Sequence, residues 1–186
     1  LGLAFVPEER LGHGAVPEMS LAENALLTGY ERQDLLSRGN IMFARTRDYA
    51  QQIVQSFQVV SGGVASHAGS LSGGNLQKFI IGRELLQKPM VLVVAHPTWG
   101  VDAGAAAAIH SALLDLASQG TAILMVSQDL DELLQISDRI AVLSGGRLSE
   151  CMVTADADIG RIGLLMGGHG PENNNDSTGG QRAAQT

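Results

Sequence analysis

The sequence has little of several things that mark particular classes of protein. It contains one cysteine in 186 residues, which excludes an intramolecular disulfide framework and fits a reducing compartment. No apolar run approaches the ~20 residues that a membrane-spanning helix needs. Charged residues make up only 17%, and the net charge is −7, so bulk charge does not favour a nucleic-acid partner.

Apolar residues and glycine are plentiful instead. Apolar residues reach 45%, enough to form a buried core, and there are 23 glycines. The chain begins within apolar sequence and without methionine, so we expect that its first residue is not a natural start.

The hydrophobic pattern predicts a parallel α/β core that follows a helical insert. Residues 90–95 and 121–126 are short apolar runs typical of buried strands, and a helix predicted over 104–119 connects them. Ser20-Leu21-Ala22-Glu23 is a capping box that predicts the start of a helix. Residues 20–70 are predicted to be all helical.

The sharpest local feature is Leu71-Ser72-Gly73-Gly74-Asn75, followed by a helix predicted over 76–87. A serine and two glycines at a helix N-terminus present free backbone N–H groups and the positive end of the helix dipole, which suits a phosphate. The alternative is an ordinary Ser-Gly-Gly linker ahead of a helix, and these residues alone favour neither reading.

Two predicted strands end in polar turns, at the edge where open α/β sheets bind ligands. His96 follows the first, although a lone histidine there is more often structural than catalytic. Ser127-Gln128-Asp129 follows the second, where the alternative is a plain connection with Ser127 as a helix cap.

Taken in order, these pieces resemble the nucleotide-binding domain of ATP-binding-cassette (ABC) transporters. Residues 71–75 resemble its signature motif, 91–96 its Walker B strand and the next residue, 100–102 its D-loop, and 127–129 its switch region. The resemblance covers about residues 1–166. It implies an α/β, P-loop NTPase-type cassette whose parallel sheet is flanked by helices, with an α-helical signature subdomain.

The resemblance narrows to the second cassette of tandem sugar importers. Residues 5–10, 19–24 and Asn75 are similar to that cassette, and Leu36-Ser37-Arg38-Gly39 is similar to the nucleoside branch. The implied organisation has four parts. The end of the first core part with the Q-loop region spans residues 1–19, and the helical subdomain with the signature spans 20–88. The α/β core spans 89–166, and a disordered tail spans 167–186.

The sequence also departs from the family pattern. It contains no G-x-x-x-x-G-K-[ST] phosphate loop, and we expect that loop to precede Leu1 in a parent protein. Ala95 stands at the Walker B aspartate position, His96 at the catalytic glutamate position and Gln128 at the switch histidine position. The resemblance therefore leaves no catalytic residue intact and no metal ligand in this chain, while Pro7 and Glu8 lie near the Q-loop position.

The resemblance implies that the signature contacts ATP held, with Mg²⁺, mainly by a partner cassette. The residues expected to bind ATP in this way are Leu71, Ser72, Gly73, Gly74, Asn75 and Gln77. The residues expected at the D-loop and cassette interface are Gly100, Val101 and Asp102.

Implied partners are a second cassette, placed in the same parent chain, integral-membrane permease subunits and, indirectly, a substrate-binding lipoprotein, with no nucleic acid. The implied location is the cytoplasmic face of the cell membrane.

The alternative function is that of a non-transport ABC ATPase or a non-catalytic ABC-like binding module. A basic group near the start has two readings, a solvated face or a contact with a membrane-domain helix: Arg10, Arg32, Arg38, Arg45 and Arg47.

Overall fold

The structure, a computed structural model, describes residues 2–168. The chain divides into two compact units, of which the first ends at Leu130 and the second begins at Asp131. The predicted tail, 167–186, lies outside the described residues except for its first two positions.

The first unit contains three parallel strands, a short hairpin and four helices among its described residues. In chain order they are β1 (Leu3–Val6), α1 (Leu21–Gly29), β2 (Leu36–Ser37), β3 (Asn40–Ile41), α2 (Phe43–Ser56), α3 (Gly73–Leu85), β4 (Val91–Ala95), α4 (Ala103–Ser118) and β5 (Ala122–Val126). A single 3₁₀ turn, Ala68–Ser70, precedes α3.

The sheet has the order β1-β4-β5 and is parallel throughout. Helices α3 and α4 contact each other and pack against it. Leu92 and Val94 of the central strand are fully buried, whereas Leu124 and Val126 of β5 are 59% and 50% exposed. The prediction that β5 is a buried strand is therefore wrong. Side chains alternate between the two faces of a strand, and one face of this sheet is open among the described residues.

The region between β1 and β4 is mostly helical, and its first helix starts as predicted. Ser20 Oγ accepts from the Glu23 N–H at 3.2 Å, and the Ser20 N–H donates to Glu23 Oε2 at 2.8 Å, so both halves of the capping box form. The expectation that residues 20–70 are all helical is wrong, because β2 and β3 form an antiparallel hairpin. Arg38 and Gly39 close it with φ of +50° and +79°, the left-handed backbone that a two-residue hairpin turn requires.

A buried polar network fixes α3 against the helices before it. Arg83 and Glu84 are each 3% exposed and pair at 2.7 Å. Arg83 Nη2 donates to the Gly14 carbonyl at 2.9 Å, and Thr28 Oγ1 donates to Glu84 Oε1 at 2.8 Å. The Tyr49 hydroxyl donates to the Arg83 carbonyl at 2.6 Å, and burial raises the pKa of that phenol well above its ordinary value. This helix carries the candidate signature at its other end.

The second unit contains four short strands and two short α-helices among its described residues. Its elements are α5 (Leu130–Ile136), which begins at the last residue of the first unit, then β6 (Arg139–Ile140), β7 (Leu143–Ser144), β8 (Arg147–Leu148), β9 (Met152–Val153) and α6 (Ile159–Met166). Strands β7 and β8 form a hairpin around Gly145 and Gly146, both with positive φ. None of the helices between residues 2 and 168 is long and apolar enough to cross a membrane.

Candidate functional site

The first turn of α3 is formed by Ser72, Gly73, Gly74 and Asn75, here called the signature turn. The helix begins at Gly73, three residues before the predicted start, so both glycines lie inside its first turn. Ser72 is the N-cap residue in extended conformation, but its side chain makes no capping hydrogen bond. Ser72 and Gly73 are exposed to solvent. The first-turn amides have no partner within a helix and point along the axis beyond its N-terminus.

The Asn75 side chain determines what the Ser72 hydroxyl is able to do. The Val60 N–H donates to Asn75 Oδ1 at 2.9 Å, and this bond fixes the orientation of the amide. Asn75 Nδ2 consequently faces Ser72 and donates to its Oγ at 2.9 Å. Because Asn75 presents only a donor, the hydroxyl proton of Ser72 remains available to a ligand outside the helix.

The composition and direction of the signature turn suit an anion. Backbone N–H groups and a hydroxyl proton are all donors, and the helix dipole adds about half a positive charge at this end. Gly73 carries no Cβ, so no side chain of its own covers the N–H groups of the turn. The structure thus brings together four of the predicted ATP-contacting residues. Leu71 lies before the turn, where its N–H donates to the Ala68 carbonyl.

Gln77, also predicted to contact ATP, lies on the inner side of the helix. It is 2% exposed, and its Nε2 donates to the His96 and Pro97 carbonyls at 3.2 and 3.1 Å. Its Oε1 accepts from Arg10 Nε at 2.9 Å. The side chain therefore joins the signature helix to the turn that follows β4.

That turn continues into the predicted D-loop. Gly100 has φ of +69°, and a Cβ added at Gly74 would lie 3.0 Å from the Gly100 carbonyl oxygen, so the two backbones are in close contact. The Val101 N–H donates to the Thr98 carbonyl at 3.3 Å. Asp102 is the N-cap of α4: its Oδ1 accepts from the Ala105 N–H at 2.9 Å, and this bond lowers the pKa of the carboxyl group.

The other predicted positions lie at the carboxyl edge of the sheet, which comprises the residues that follow β1, β4 and β5. Ala95 pairs with Val126 in register, and the His96 N–H donates to the Val126 carbonyl at 2.8 Å. His96 has a left-handed φ of +48°, and Gln128 is exposed two residues beyond β5. The sheet therefore places His96 and Gln128 on neighbouring strand ends.

This edge does not fit a magnesium ion. Ala95 offers a methyl group, and the His96 ring makes an edge-on contact with Trp99 at 5.6 Å between centroids. The carboxylate that approaches His96 belongs to Glu8, 3.9 Å from Nε2 and half exposed, directly after Pro7 at the end of β1. Mg²⁺ prefers several oxygen ligands in octahedral geometry. Among residues 2–168 no group of three or more histidine, cysteine, aspartate and glutamate side chains forms a metal cluster.

Sequence reasoning missed the part that Arg10 takes in this arrangement. Arg10 was grouped with a basic surface, but its guanidinium is partly buried and bonds to Gln77 and to the Trp99 carbonyl. Burial lowers its pKa. The partners are 67 and 89 residues away in sequence, so no local pattern reveals them.

Comparison with solved structures establishes the fold. A dimeric, post-hydrolysis ATP-binding cassette bound to ADP and Pi matches with a TM-score of 0.68 at 21% identity, covering 82% of this chain and 62% of that one. An ATP-binding subunit of an ABC transporter matches with a TM-score of 0.69 at 19% identity, covering 89% and 68%. The fold is that of an ABC ATPase cassette, as the resemblance implied.

Sequence comparison adds closer relatives. A glucose import ATP-binding protein of Haloferax volcanii is 39% identical over 171 residues, 91% of this chain and 31% of the relative. A nucleoside import ATP-binding protein of Lactococcus lactis is 38% identical over 166 residues, 89% and 33%. A ribose import ATP-binding protein of Rubrobacter xylanophilus is 39% identical over 170 residues, 90% and 34%. No family model matches the chain.

The homologues of this chain are thus sugar and nucleoside import ATP-binding proteins, as the motifs predicted. The chain spans about a third of the length of the curated relatives it matches.

Proposed function

We propose that this chain is the C-terminal part of the ATP-binding subunit of a sugar or nucleoside importer, here called the parent protein. Within it, the signature turn contacts the phosphates of ATP held by a partner cassette. The observation that carries the proposal is the outward donor set: the exposed first-turn amides and a Ser72 hydroxyl whose proton Asn75 leaves free. The relatives, named for glucose, nucleoside and ribose import, support the transport role.

The geometry suits recognition of phosphate that is presented from outside the chain. Gly73 and Gly74 supply backbone donors that face outward, and these need no side-chain rearrangement to meet an oxygen. Closure of a second cassette over the turn would bring ATP to these donors and exclude water. Dimeric cassettes among the structural neighbours support this arrangement.

The cassette's own site is proposed to hydrolyse ATP poorly or not at all. Ala95 has no oxygen for a metal-bound water, and Gln128 has no titratable group. A bound Mg²⁺ would supply charge neutralisation at the phosphates, and we assign that role to the partner cassette. The isolated chain is therefore proposed to lack ATPase activity.

The proposed partners are a second cassette in the same parent protein, integral-membrane permease subunits and, through them, a substrate-binding lipoprotein. The proposed location is the cytoplasmic face of the cell membrane, where such a subunit meets its permease. The domain organisation by residues 1–19, 20–88, 89–166 and 167–186 stays part of this proposal.

A single-turnover ATPase assay of the parent protein tests the proposed role of the signature. We expect Ser72→Arg to lower ATP turnover by roughly 100-fold, because a long side chain fills the phosphate position and the hydroxyl donor is lost. Ser118→Arg is the matched control, since Ser118 is an exposed serine at the end of α4. Wild-type turnover in Ser72→Arg would overturn the proposal.

A further inference from the structure

Arg10 places its guanidinium between the signature turn and the D-loop. A Cβ added at Gly73 would lie 2.8 Å from Arg10 Nη1, and one added at Gly100 would lie 3.1 Å from Nη2. The planar group therefore fills the space that two glycines leave open, one on each side. Gly73 is needed here for close approach, and Gly100 also for its positive φ.

Hydrogen bonds fix the guanidinium in this gap. Arg10 Nε donates to Gln77 Oε1 at 2.9 Å, and Nη2 donates to the Trp99 carbonyl. Gln77 in turn donates to the His96 and Pro97 carbonyls. Arg10 and Gln77 together thereby join the second turn of α3 to both ends of the turn after β4.

The base of the Arg10 side chain is itself held in place. The Arg10 carbonyl accepts from the Ala15 N–H at 2.7 Å, and the Glu9 carbonyl accepts from the Gly14 N–H at 3.0 Å. Gly14 is buried and its carbonyl accepts from the buried Arg83 of α3. Arg10 therefore projects from a segment that is tied to the far end of the same helix.

We propose that Arg10 is a positioning residue for the phosphate site: its guanidinium sets the spacing between the signature turn and the turn that leads into the D-loop. This inference rests on the proposed function, because it needs the signature turn to contact ATP. Arginine suits the position, since its planar fork carries donors on separate nitrogens at a fixed spacing, whereas a lysine ammonium carries all its donors on one nitrogen.

Steady-state kinetics of the parent protein separate positioning from other roles. For Arg10→Gln we expect kcat to fall by about 10-fold while KM for ATP changes by less than about 2-fold, because the partner's motifs hold ATP before the cassettes close. Arg10→Lys should not restore kcat. Arg47→Gln, a change at an exposed arginine of α2, should leave both constants as in the wild type.

Two results would overturn the inference. If Arg10→Gln lowers the melting temperature and the yield of folded protein but leaves kcat per folded molecule unchanged, the residue is only structural. If Arg10→Lys recovers kcat, charge at the phosphate rather than spacing is what matters.

A double-mutant cycle supplies a test that is independent of folding yield. Gly73→Ala should displace the Arg10 guanidinium, so its effect on kcat should be smaller in the Arg10→Gln background than in the wild type. Gly163→Ala is the control, since a Cβ at Gly163 would meet nothing within 4 Å, and its effect should multiply with that of Arg10→Gln. If the effect of Gly73→Ala on kcat is the same in the Arg10→Gln background as in the wild type, as expected for the control, the proposed contact is refuted.

The Ser72→Arg variant keeps the two proposals apart. Normal turnover in Ser72→Arg removes the proposed function and this inference with it. Loss of turnover in Ser72→Arg together with a wild-type kcat in Arg10→Gln removes the inference alone.

Discussion

The signature turn begins the helix that carries Gln77, and the Gln77 side chain donates to the His96 and Pro97 carbonyls at the carboxyl edge of the sheet, yet the two regions present different groups. The turn presents backbone N–H groups and one hydroxyl proton, with its geometry fixed by Asn75. The edge presents a methyl group, an imidazole and an amide at Ala95, His96 and Gln128. Phosphate recognition here depends on main-chain direction, whereas metal binding depends on individual carboxylates.

This difference bears on the proposal that one function is lost while the other is kept. An alanine at the position where the resemblance implies a carboxylate leaves the strand intact, because Ala95 pairs in register with Val126. The signature turn tolerates less, because Gly73 and Gly74 face Arg10 and the Gly100 carbonyl at contact distance. Side-chain chemistry is therefore easier to lose here than backbone geometry.

The largest expected effect comes from adding one negative charge to the signature turn, and the same charge added to the sheet edge is its control. Asn75→Asp would place a carboxylate oxygen opposite Ser72 Oγ, capture its proton and repel phosphate. We expect ATP turnover of the parent protein to fall by roughly 100-fold. Gln128→Glu adds the same charge at the sheet edge and should leave turnover near the wild-type value. Equal losses in both variants would show that bulk charge, and not the donor set of the turn, is responsible.

The local parts of this comparison could be predicted from the sequence, and the long-range parts could not. The capping box of Ser20 and Glu23 is contained in four residues, and the structure forms both of its bonds. The predicted start of α3 is three residues late, because two glycines in succession do not show whether they precede the helix or form its first turn.

The exposure of β5 differs from the prediction of a buried strand. An apolar pattern shows that a strand is able to be buried, but it does not show how many faces of the strand other elements cover. Leu124 and Val126 carry the same residue types as a buried strand. The link between Arg10 and Gln77 depends on packing of segments 67 residues apart. Such contacts have no signal in one sequence.

A smaller effect is expected from restoring carboxylates at the edge. Ala95→Asp combined with His96→Glu should raise ATP turnover of the parent protein toward about twofold, because two sites instead of one would then hold Mg²⁺ and a general base. The measurement is Mg²⁺-dependent turnover, with His96→Gln alone as the control. Unchanged turnover would show that more than these two side chains separates the edge from an active site.

The smallest expected effect concerns Asp102, a carboxylate that this part of the chain retains and uses for structure. The Ala105 N–H stabilises its ionised form at the N-terminus of α4 and lowers its pKa in the folded state. Its contribution to stability is therefore complete above the ordinary pKa of aspartate and is lost as the pH falls through the lowered pKa of the folded state.

Thermal melts of the chain as a function of pH measure this contribution. Asp102→Asn keeps an oxygen cap but removes the charge, so the variant should melt slightly below the wild type at neutral pH, and the two curves should converge in acid. Glu23, whose pKa is lowered by its bond to Ser20, responds to acid in both proteins and cancels in the difference. A difference that stays constant with pH would mean that the charge of Asp102 is not its cause.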